Sequence, residues 1–461
     1  MLLLALGCSF TTHDYVPCTA SSQCRETFGF GYSCGASSLC EPIVPPERCA
    51  DTYPDDLLSN VSAYRDAVVV GSLFDHNAAA GDLAEVRAVQ LAIKQVNASE
   101  GLDGRSYAII HCSYEEDYNG DGLDYSTSLA QIAPWLADEA GVSVALGPAT
   151  SGQSEAAYEI LGPKDVLLIS PSATSPALTA LDGAVKSDAT PGLLWRTAPP
   201  DSAQGEKIAV DLDDRGVTDA AVVYQTSSYG EGLALVFKNN FEELGGAVEL
   251  HSFDEGADPS TAIVNAGTAD ASVEVVFISS ELVDVVAFLN AAGSLPGYEE
   301  RALFLTDAAR DDSLFDGLTA DGLATLDRVR GSSPAAPSGT VYDFFDAAYT
   351  VEFNTDPSVS VYTAYAYDAA WLALYGSAWS WYQEGALSGT GMARGLRRIS
   401  GGDDVQVTPS NWGVVKSNFK EGRPVDLEGA SGTLDYDPET EETTGPVDIW
   451  LIEGREFVVP L

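Results

Sequence analysis

The chain has 461 residues, of which 69 are acidic and 23 are basic, so its formal net charge is −46. Hydrophobic residues make up 45% of the chain, which excludes extensive disorder because enough apolar surface exists to form large cores. The few Lys and Arg residues are scattered, and this excludes a nucleic-acid-binding protein, which needs clustered basic side chains.

Residues 1–8 resemble the end of a bacterial lipoprotein signal. An apolar run ends in small residues at Cys8, which is the residue that would carry the lipid after cleavage. We therefore expect a lipid anchor at Cys8 and a location on the periplasmic or cell-envelope face. The first basic residue is Arg25, so a positively charged region before the apolar run is missing. An accidental resemblance is the alternative.

Residues 9–48 are predicted to form a small module that disulfides stabilise, followed by a Pro-rich linker. So high a density of cysteines in so short a segment is typical of an oxidising compartment. No Cys-x-x-Cys pair occurs and His13 has no companion histidine, so we predict no metal site. The pairing within the module stays open, and the candidates are Cys18, Cys24, Cys34 and Cys40.

Cys49 and Cys112 remain once the module's four cysteines and Cys8 are set aside. Cys49 lies just ahead of the first predicted strand region, and Cys112 ends a predicted strand. An N-terminal segment can run beside a neighbouring strand, so we predict a disulfide between the two. The alternative is that Cys112 is a buried free thiol.

From about residue 66 the chain alternates short apolar runs with helical ones, a pattern typical of βαβ units and parallel sheets. The predicted strands are Val68–Leu73, Ala108–Cys112, Val142–Leu146, Val166–Ser170, Ala220–Tyr224, Val273–Ser279 and Ala302–Thr306. The predicted helices are Asp82–Asn97, Thr127–Ala140, Ser154–Leu161, Glu231–Leu244 and Leu282–Ala292, then the aromatic-rich Tyr342–Phe353 and Tyr362–Trp381. Two late strands are predicted, one from Gly432 to Asp437 and one from Val447 to Ile452. This number of strand–helix units is too high for one small open sheet, so it indicates two α/β lobes.

Hydroxyl-bearing residues follow two of these strands. The segment after Leu146 reads Gly-Pro-Ala-Thr-Ser151, and a helix begins near Ser151. The segment after Leu168 reads Ile-Ser-Pro-Ser172-Ala-Thr174. Open α/β sheets bind ligands in the crevice at such strand ends, and a helix N-terminus offers free N–H groups to an anion. Each serine alone is equally consistent with a helix cap or a turn.

These two segments are similar to the type I periplasmic binding proteins of the leucine/isoleucine/valine-binding group. The similarity continues with Trp195-Arg-Thr-Ala-Pro-Pro-Asp-Ser-Ala-Gln-Gly, with Val222-Val-Tyr-x(3)-Ser-Tyr229-Gly-Glu-Gly and with Gly432-Thr-Leu-x-Tyr-Asp. It implies two doubly wound parallel-sheet lobes joined by a three-crossing hinge. Lobe I is expected to comprise residues 66–197 plus 337–428, and lobe II residues 198–336 plus 429–461.

The resemblance also implies ligand-binding residues. Ser151 and Thr174 match positions that hold the α-carboxylate of an amino acid, and Ser172 matches one whose carbonyl accepts from the ammonium. Tyr229 matches an aromatic residue of the second lobe that closes over the ligand. Asp307 is nearest to the expected ammonium-binding acid, although the motif around it differs. Glu281 stands where the family often has a second aromatic residue. These two departures argue against an ordinary branched-chain ligand.

Two further patterns concern metal binding and catalysis. The segment from Asp117 to Gly122 has the opening spacing of a calcium loop, but Ser128 occupies the position of the final Glu, so we interpret it as a solvated acidic turn. The four histidines are isolated and no nucleotide-binding or catalytic motif occurs, so we predict neither an enzyme nor a cofactor.

The sequence therefore predicts a monomeric extracytoplasmic protein that captures a small ligand with a carboxylate, most plausibly an amino acid. It would serve an ABC-type permease or a sensor. The alternative is a cell-envelope lipoprotein that uses the same fold to bind a protein partner.

Overall fold

The computed structural model describes residues 16–75, 80–268 and 273–460. The chain starts with a small module made of α1 (Ser21–Phe28), β1 (Tyr32–Cys34) and β2 (Cys40–Pro42), whose two strands pair antiparallel. The disulfides Cys18–Cys34 and Cys24–Cys40 join the region of α1 to this ribbon. The predicted disulfide module is confirmed, and its cross-links replace the core that so short a segment cannot build. Cys8 and the signal-like segment lie outside the described residues.

The third disulfide, Cys49–Cys112, joins the segment after the module to the first sheet. Strand β3 (Asp51–Tyr53) pairs antiparallel with β5 (Tyr107–Ser113), which brings Cys49 beside that strand. The prediction of this bridge is confirmed. Arg48 is buried here and its guanidinium donates two hydrogen bonds of 2.8 Å to the carboxylate of Asp121. The segment that we expected to act as a linker is thus held against the first lobe by the acidic turn.

The first sheet carries the elements up to residue 196. They are β3, β4 (Val68–Phe74), α2 (Ala80–Ala98), β5, α3 (Tyr125–Trp135), β6 (Val144–Leu146), α4 (Ser151–Leu161), β7 (Leu167–Ser170) and β8 (Leu194–Arg196). The strand order is β3-β5-β4-β6-β7-β8, and all neighbours except β3 and β5 run parallel. The parallel strands are buried, as strands covered by helices on both faces must be.

The second sheet begins after β8. Its elements are α5 (Asp201–Asp214), β9 (Asp219–Gln225), α6 (Ser228–Glu243), β10 (Ala247–Phe253), α7 (Ser260–Gly267), β11 (Glu274–Ile278), α8 (Leu282–Ala292), β12 (Leu303–Leu305), α9 (Ala320–Leu323) and β13 (Val329–Pro334). The chain then returns to the first lobe with α10 (Thr340–Phe353), α11 (Tyr362–Trp379), α12 (Gly389–Leu396), β14 (Asp403–Gln406), α13 (Trp412–Lys420) and β15 (Val425–Glu428). Strands β14 and β15 pair parallel as a separate two-stranded sheet.

A third crossing leads to β16 (Val447–Glu453) and β17 (Glu456–Val458), which complete the second sheet in the order β10-β9-β11-β12-β13-β16-β17. Strands β9 to β13 pair parallel, whereas β16 pairs antiparallel with β13 and β17. The predicted α/β fold with two sheet-based lobes and three crossings is therefore confirmed.

The helices and loops of the C-terminal third pack into the hydrophobic core of the first lobe. Every residue of α11 is buried, since this helix packs between α2 and α12 against the first sheet. A helix that buries side chains on every face requires such a central position. The segment from Gly432 to Asp437 forms only isolated bridges instead of the predicted strand, and its Leu434 and Tyr436 pack in the first lobe's core. No helix in the described ranges is both long and apolar enough to cross a membrane.

Candidate functional site

A cavity of about 520 Å³ lies between the two sheets. Residues that follow β4, β6 and β7 line it from the first lobe, and residues that follow β11 and β12 line it from the second. These are the carboxyl ends of parallel strands, where open α/β sheets bind ligands. The cavity is therefore the candidate binding site.

Ser151 lines the hydroxyl-rich side of this cavity. It is the first residue of α4, and its Oγ accepts hydrogen bonds from the backbone N–H groups of Thr174 (3.2 Å) and Ser175 (3.1 Å). These two bonds hold the loop after β7 against the start of α4. They also leave the hydroxyl hydrogen of Ser151 as the part that can be donated to a ligand. The first N–H groups of a helix have no partner within the helix, so this end of the cavity is suited to an anion.

Ser172 and Thr174 occupy different places in the same loop. Ser172 lines the cavity, and its Oγ donates to the carbonyl oxygen of Ala149 (3.0 Å). Thr174 is buried behind Ser151, and its Oγ1 donates to Asp201 Oδ2 (3.0 Å). In this structure Thr174 therefore supports Ser151 through its N–H group.

Asp307 directly follows β12 and accepts three hydrogen bonds in the cavity wall. The donors are the hydroxyl of Tyr229 (2.5 Å) and Nε2 of Gln204 (2.8 Å) to Oδ1, and the hydroxyl of Tyr362 (2.6 Å) to Oδ2. Tyr229 belongs to α6 of the second lobe, whereas Tyr362 starts α11 of the first. These donors fix the orientation of the carboxylate, which retains lone pairs for an ammonium group.

Further carboxyl groups enter the cavity from both lobes. Asp75 follows β4, and Asp82 and Glu85 lie in the first turns of α2, all in the first lobe. Glu281 precedes α8, and Asp311 lies in the loop after β12, both in the second. Arg310 is the sole basic side chain among the described lining residues, and its Nη1 donates to Ser333 Oγ (2.8 Å).

Burial and nearby like charges make three of these acids, Asp82, Glu85 and Glu281, unusually weak. Burial, with Asp75 and Asp311 nearby, raises the pKa of Asp82 to about 8. Burial and the adjacent Asp284 raise the pKa of Glu281 to about 7. Glu85 is 3% exposed, and burial followed by the charge of Asp82 raises its pKa well above the usual range. Burial and nearby negative charges both disfavour the ionised form of an acid, and for this reason they raise its pKa.

Five of the six ligand-binding candidates from the sequence line the cavity: Ser151, Ser172, Tyr229, Glu281 and Asp307. Thr174, the sixth, lies directly behind the cavity wall. Whether each residue contacts a ligand stays a prediction.

The acids of the first lobe were not predicted from the sequence. Asp75 comes one residue after β4, and Asp82 and Glu85 are three residues apart at the start of the next helix. The rule that strand ends line the crevice could have identified Asp75. Acids in the first turn of a helix are common for their effect on the helix dipole, so Asp82 and Glu85 gave no distinct pattern.

Comparisons with known proteins agree with this geometry. The family model described as the receptor family ligand binding region matches residues 84–454. The substrate-binding protein BasB of a chemotactic signal transduction system in Halobacterium salinarum is 27% identical over 397 residues, covering 81% of this chain and 84% of the relative. The leucine-specific-binding protein of Salmonella typhimurium is 26% identical over 269 residues, covering 58% of this chain and 63% of the relative.

Solved structures share the fold at lower identity. The branched-chain amino acid transporter substrate binding protein LivJ of Streptococcus pneumoniae, in complex with isoleucine, has a TM-score of 0.62 at 20% identity and covers 86% of this chain and all of its own. A leucine binding protein of Thermotoga maritima has a TM-score of 0.64 at 18% identity, covering 86% of this chain and 98% of its own. Since the family model spans more than half of the chain, the protein belongs to the receptor ligand-binding-region family of solute-binding proteins and has the type I periplasmic binding protein fold.

Proposed function

We propose that this protein captures an amino acid or a related polar compound in the cavity between its lobes, outside the cytoplasm, for an ABC-type permease or a sensor. The observation that carries the proposal is the pairing of chemistries in one cavity. An anion-binding helix end at Ser151 and an oriented carboxylate at Asp307 both line it. An amino acid carries the two complementary charges.

The compartment and the relatives support the same function. Three disulfides favour an oxidising, extracytoplasmic location. The relative from Halobacterium salinarum serves chemotactic signalling, and the structural neighbour LivJ serves transport, so both delivery routes occur among similar proteins. We further propose that the lobes divide as the sequence predicted, except that residues 429–436 belong with lobe I, where Leu434 and Tyr436 pack.

The variant Ser151→Ala tests the carboxylate end. A hydrogen bond to a charged group contributes ~1.5–3 kcal/mol, so affinity for the amino acid that binds the parent protein should fall about ten- to a hundredfold. Isothermal titration calorimetry measures the change. Ser154→Ala is the matched control, because Ser154 lies on the same helix but donates to the carbonyl of Pro148. Unchanged affinity in Ser151→Ala would contradict the assignment.

A screen by native mass spectrometry tests the wider proposal. Freshly purified protein should carry, or take up, a single amino acid. If no amino acid binds and an envelope protein is retained instead, the fold serves as a scaffold for a protein partner.

A further inference from the structure

The cavity holds more carboxyl groups than one α-ammonium group can use. An α-ammonium has three donors, and Asp307 with the nearby hydroxyl loop already offers it acceptors. The lining of the cavity also includes Asp75, Asp82, Glu85, Glu281 and Asp311, which come from both lobes.

Glu85 gives an independent indication that the cavity binds a ligand. Its side chain lines the cavity and is 3% exposed; Ser172 forms a hydrogen bond with the carboxyl group, but Oε2 has no hydrogen-bond partner among the described residues. A buried carboxylate oxygen without a partner costs free energy unless a ligand satisfies it. Asp82 lies three residues earlier on the same helix face, so both carboxyl groups are directed at the same space.

A metal ion does not account for this cluster. In the parts of the chain that the structure describes, no three carboxylate or imidazole groups bring ligand atoms within 4.8 Å of one another. Arg310 cannot neutralise the cluster either, because among the described lining residues it is one cation against six acids, and it donates to Ser333. The carboxyl groups are spread as an extended organic cation would need them.

We propose that the ligand carries a second cationic nitrogen beyond its α-ammonium group, as a basic amino acid does, and that Asp82 and Glu85 of the first lobe with Glu281 of the second bind it. This inference rests on the proposed function, because Ser151 and Asp307 take the amino-acid moiety. A guanidinium or ammonium side chain would satisfy Glu85 and would neutralise like charges that otherwise oppose approach of the lobes. The raised pKa values of the three acids agree with a site built for a cation.

Calorimetry with four related probes separates the two proposals. Arginine should bind at least ten- to a hundredfold more tightly than citrulline, which has the same length but a neutral end. Lysine should bind more tightly than leucine for the same reason. Agmatine lacks the carboxylate but keeps the guanidinium, so its loss of affinity relative to arginine reports the proposed carboxylate end alone.

Variants then assign the effect to residues. Glu85→Gln and Glu281→Gln should each reduce the preference for arginine over citrulline by about tenfold or more while keeping the fold, as circular dichroism can verify. Glu159→Gln, an exposed position on α4 outside the cavity, should leave the preference unchanged.

Citrulline or leucine binding as tightly as arginine would overturn the inference and leave the proposed function standing. Binding of none of these amino acids would overturn the inference, whereas the proposed function would fail only if the native mass spectrometry screen found no amino acid at all. An unchanged preference in both Glu85→Gln and Glu281→Gln would also overturn the assignment of the second cation to these acids.

Discussion

Asp82 and Glu281 direct carboxyl groups into one cavity from opposite lobes, and burial raises the pKa of each. The ordinary pKa of an aspartate is 3.8, and that of Asp82 is about 8 in the folded protein. The folded state therefore binds a proton more tightly than the unfolded state. Such a group stabilises the fold fully below its unfolded pKa, and this contribution is lost as the pH rises through about 8.

The variant Asp82→Asn should consequently become more stable relative to the parent as the pH rises from about 4 to about 8, and the gain should level off above that. Denaturant unfolding without ligand at a series of pH values measures it. Glu159→Gln, at an exposed site, should show no such trend. A constant difference between Asp82→Asn and the parent would contradict the raised pKa. The other charged or titratable groups among the described lining residues are Asp75, Glu85, Tyr114, Tyr229, Glu281, Asp307, Arg310, Asp311 and Tyr362.

At the scale of elements, the Cys49–Cys112 disulfide fixes β3 to the edge of the first sheet. β3 contains only three residues, so its pairing with β5 is too short to be stable by itself. The bridge closes a loop of 63 residues that contains β4 and α2. Constraining such a loop in the unfolded chain contributes most of the stabilisation in the chain-entropy model.

Replacing both cysteines with alanine should lower the free energy of unfolding by ~4 kcal/mol in that model. Denaturant titration of the Cys49→Ala/Cys112→Ala variant measures this loss. The control Cys24→Ala/Cys40→Ala opens a bridge inside the module and should leave the main unfolding transition of the lobes in place. Non-reducing peptide mapping checks the bond itself, and an alkylatable Cys112 in unreduced, unfolded protein would show that the bond is missing.

For the whole molecule, the distribution of charge suggests how the ligand and the lobes are coupled. Burial raises the pKa of Asp82, and the charges of Asp75, Asp311 and Glu281 raise it further, so these acids come together only at the cost of repulsion or of protonation when no cation is present. Contacts such as Tyr362 to Asp307 already join the lobes at the cavity. A ligand that contacts both sides favours the closed form by its differential affinity.

Small-angle scattering should therefore give a smaller radius of gyration at saturation with the amino acid found by calorimetry. The variant Ser151→Ala at the same ligand concentration, below its own dissociation constant, should keep the larger value. An identical profile with and without bound ligand would indicate a rigid scaffold and favour the protein-partner alternative.

The fold class, the cysteine pairing across the first lobe and eight of the thirteen strands in the two large sheets could be predicted from the sequence. These features depend on local patterns, such as apolar runs ended by Gly and Ser, or on the small number of cysteines that could pair. The short strands β8 and β14 and the position of Leu434 depended on packing between distant segments, so no local pattern predicted them.

The set of acidic residues in the cleft could be identified only from the tertiary structure. Ser151 and Asp307 were predictable because each follows a strand in a motif that the family shares. Asp82, Glu85 and Asp311 are acidic residues of the kind that usually lies on the surface. Because the chain contains 69 acids, no pattern in the sequence distinguishes these three. They become a site because the crossings of the chain bring the start of α2 opposite the loop after β12, where their charges interact.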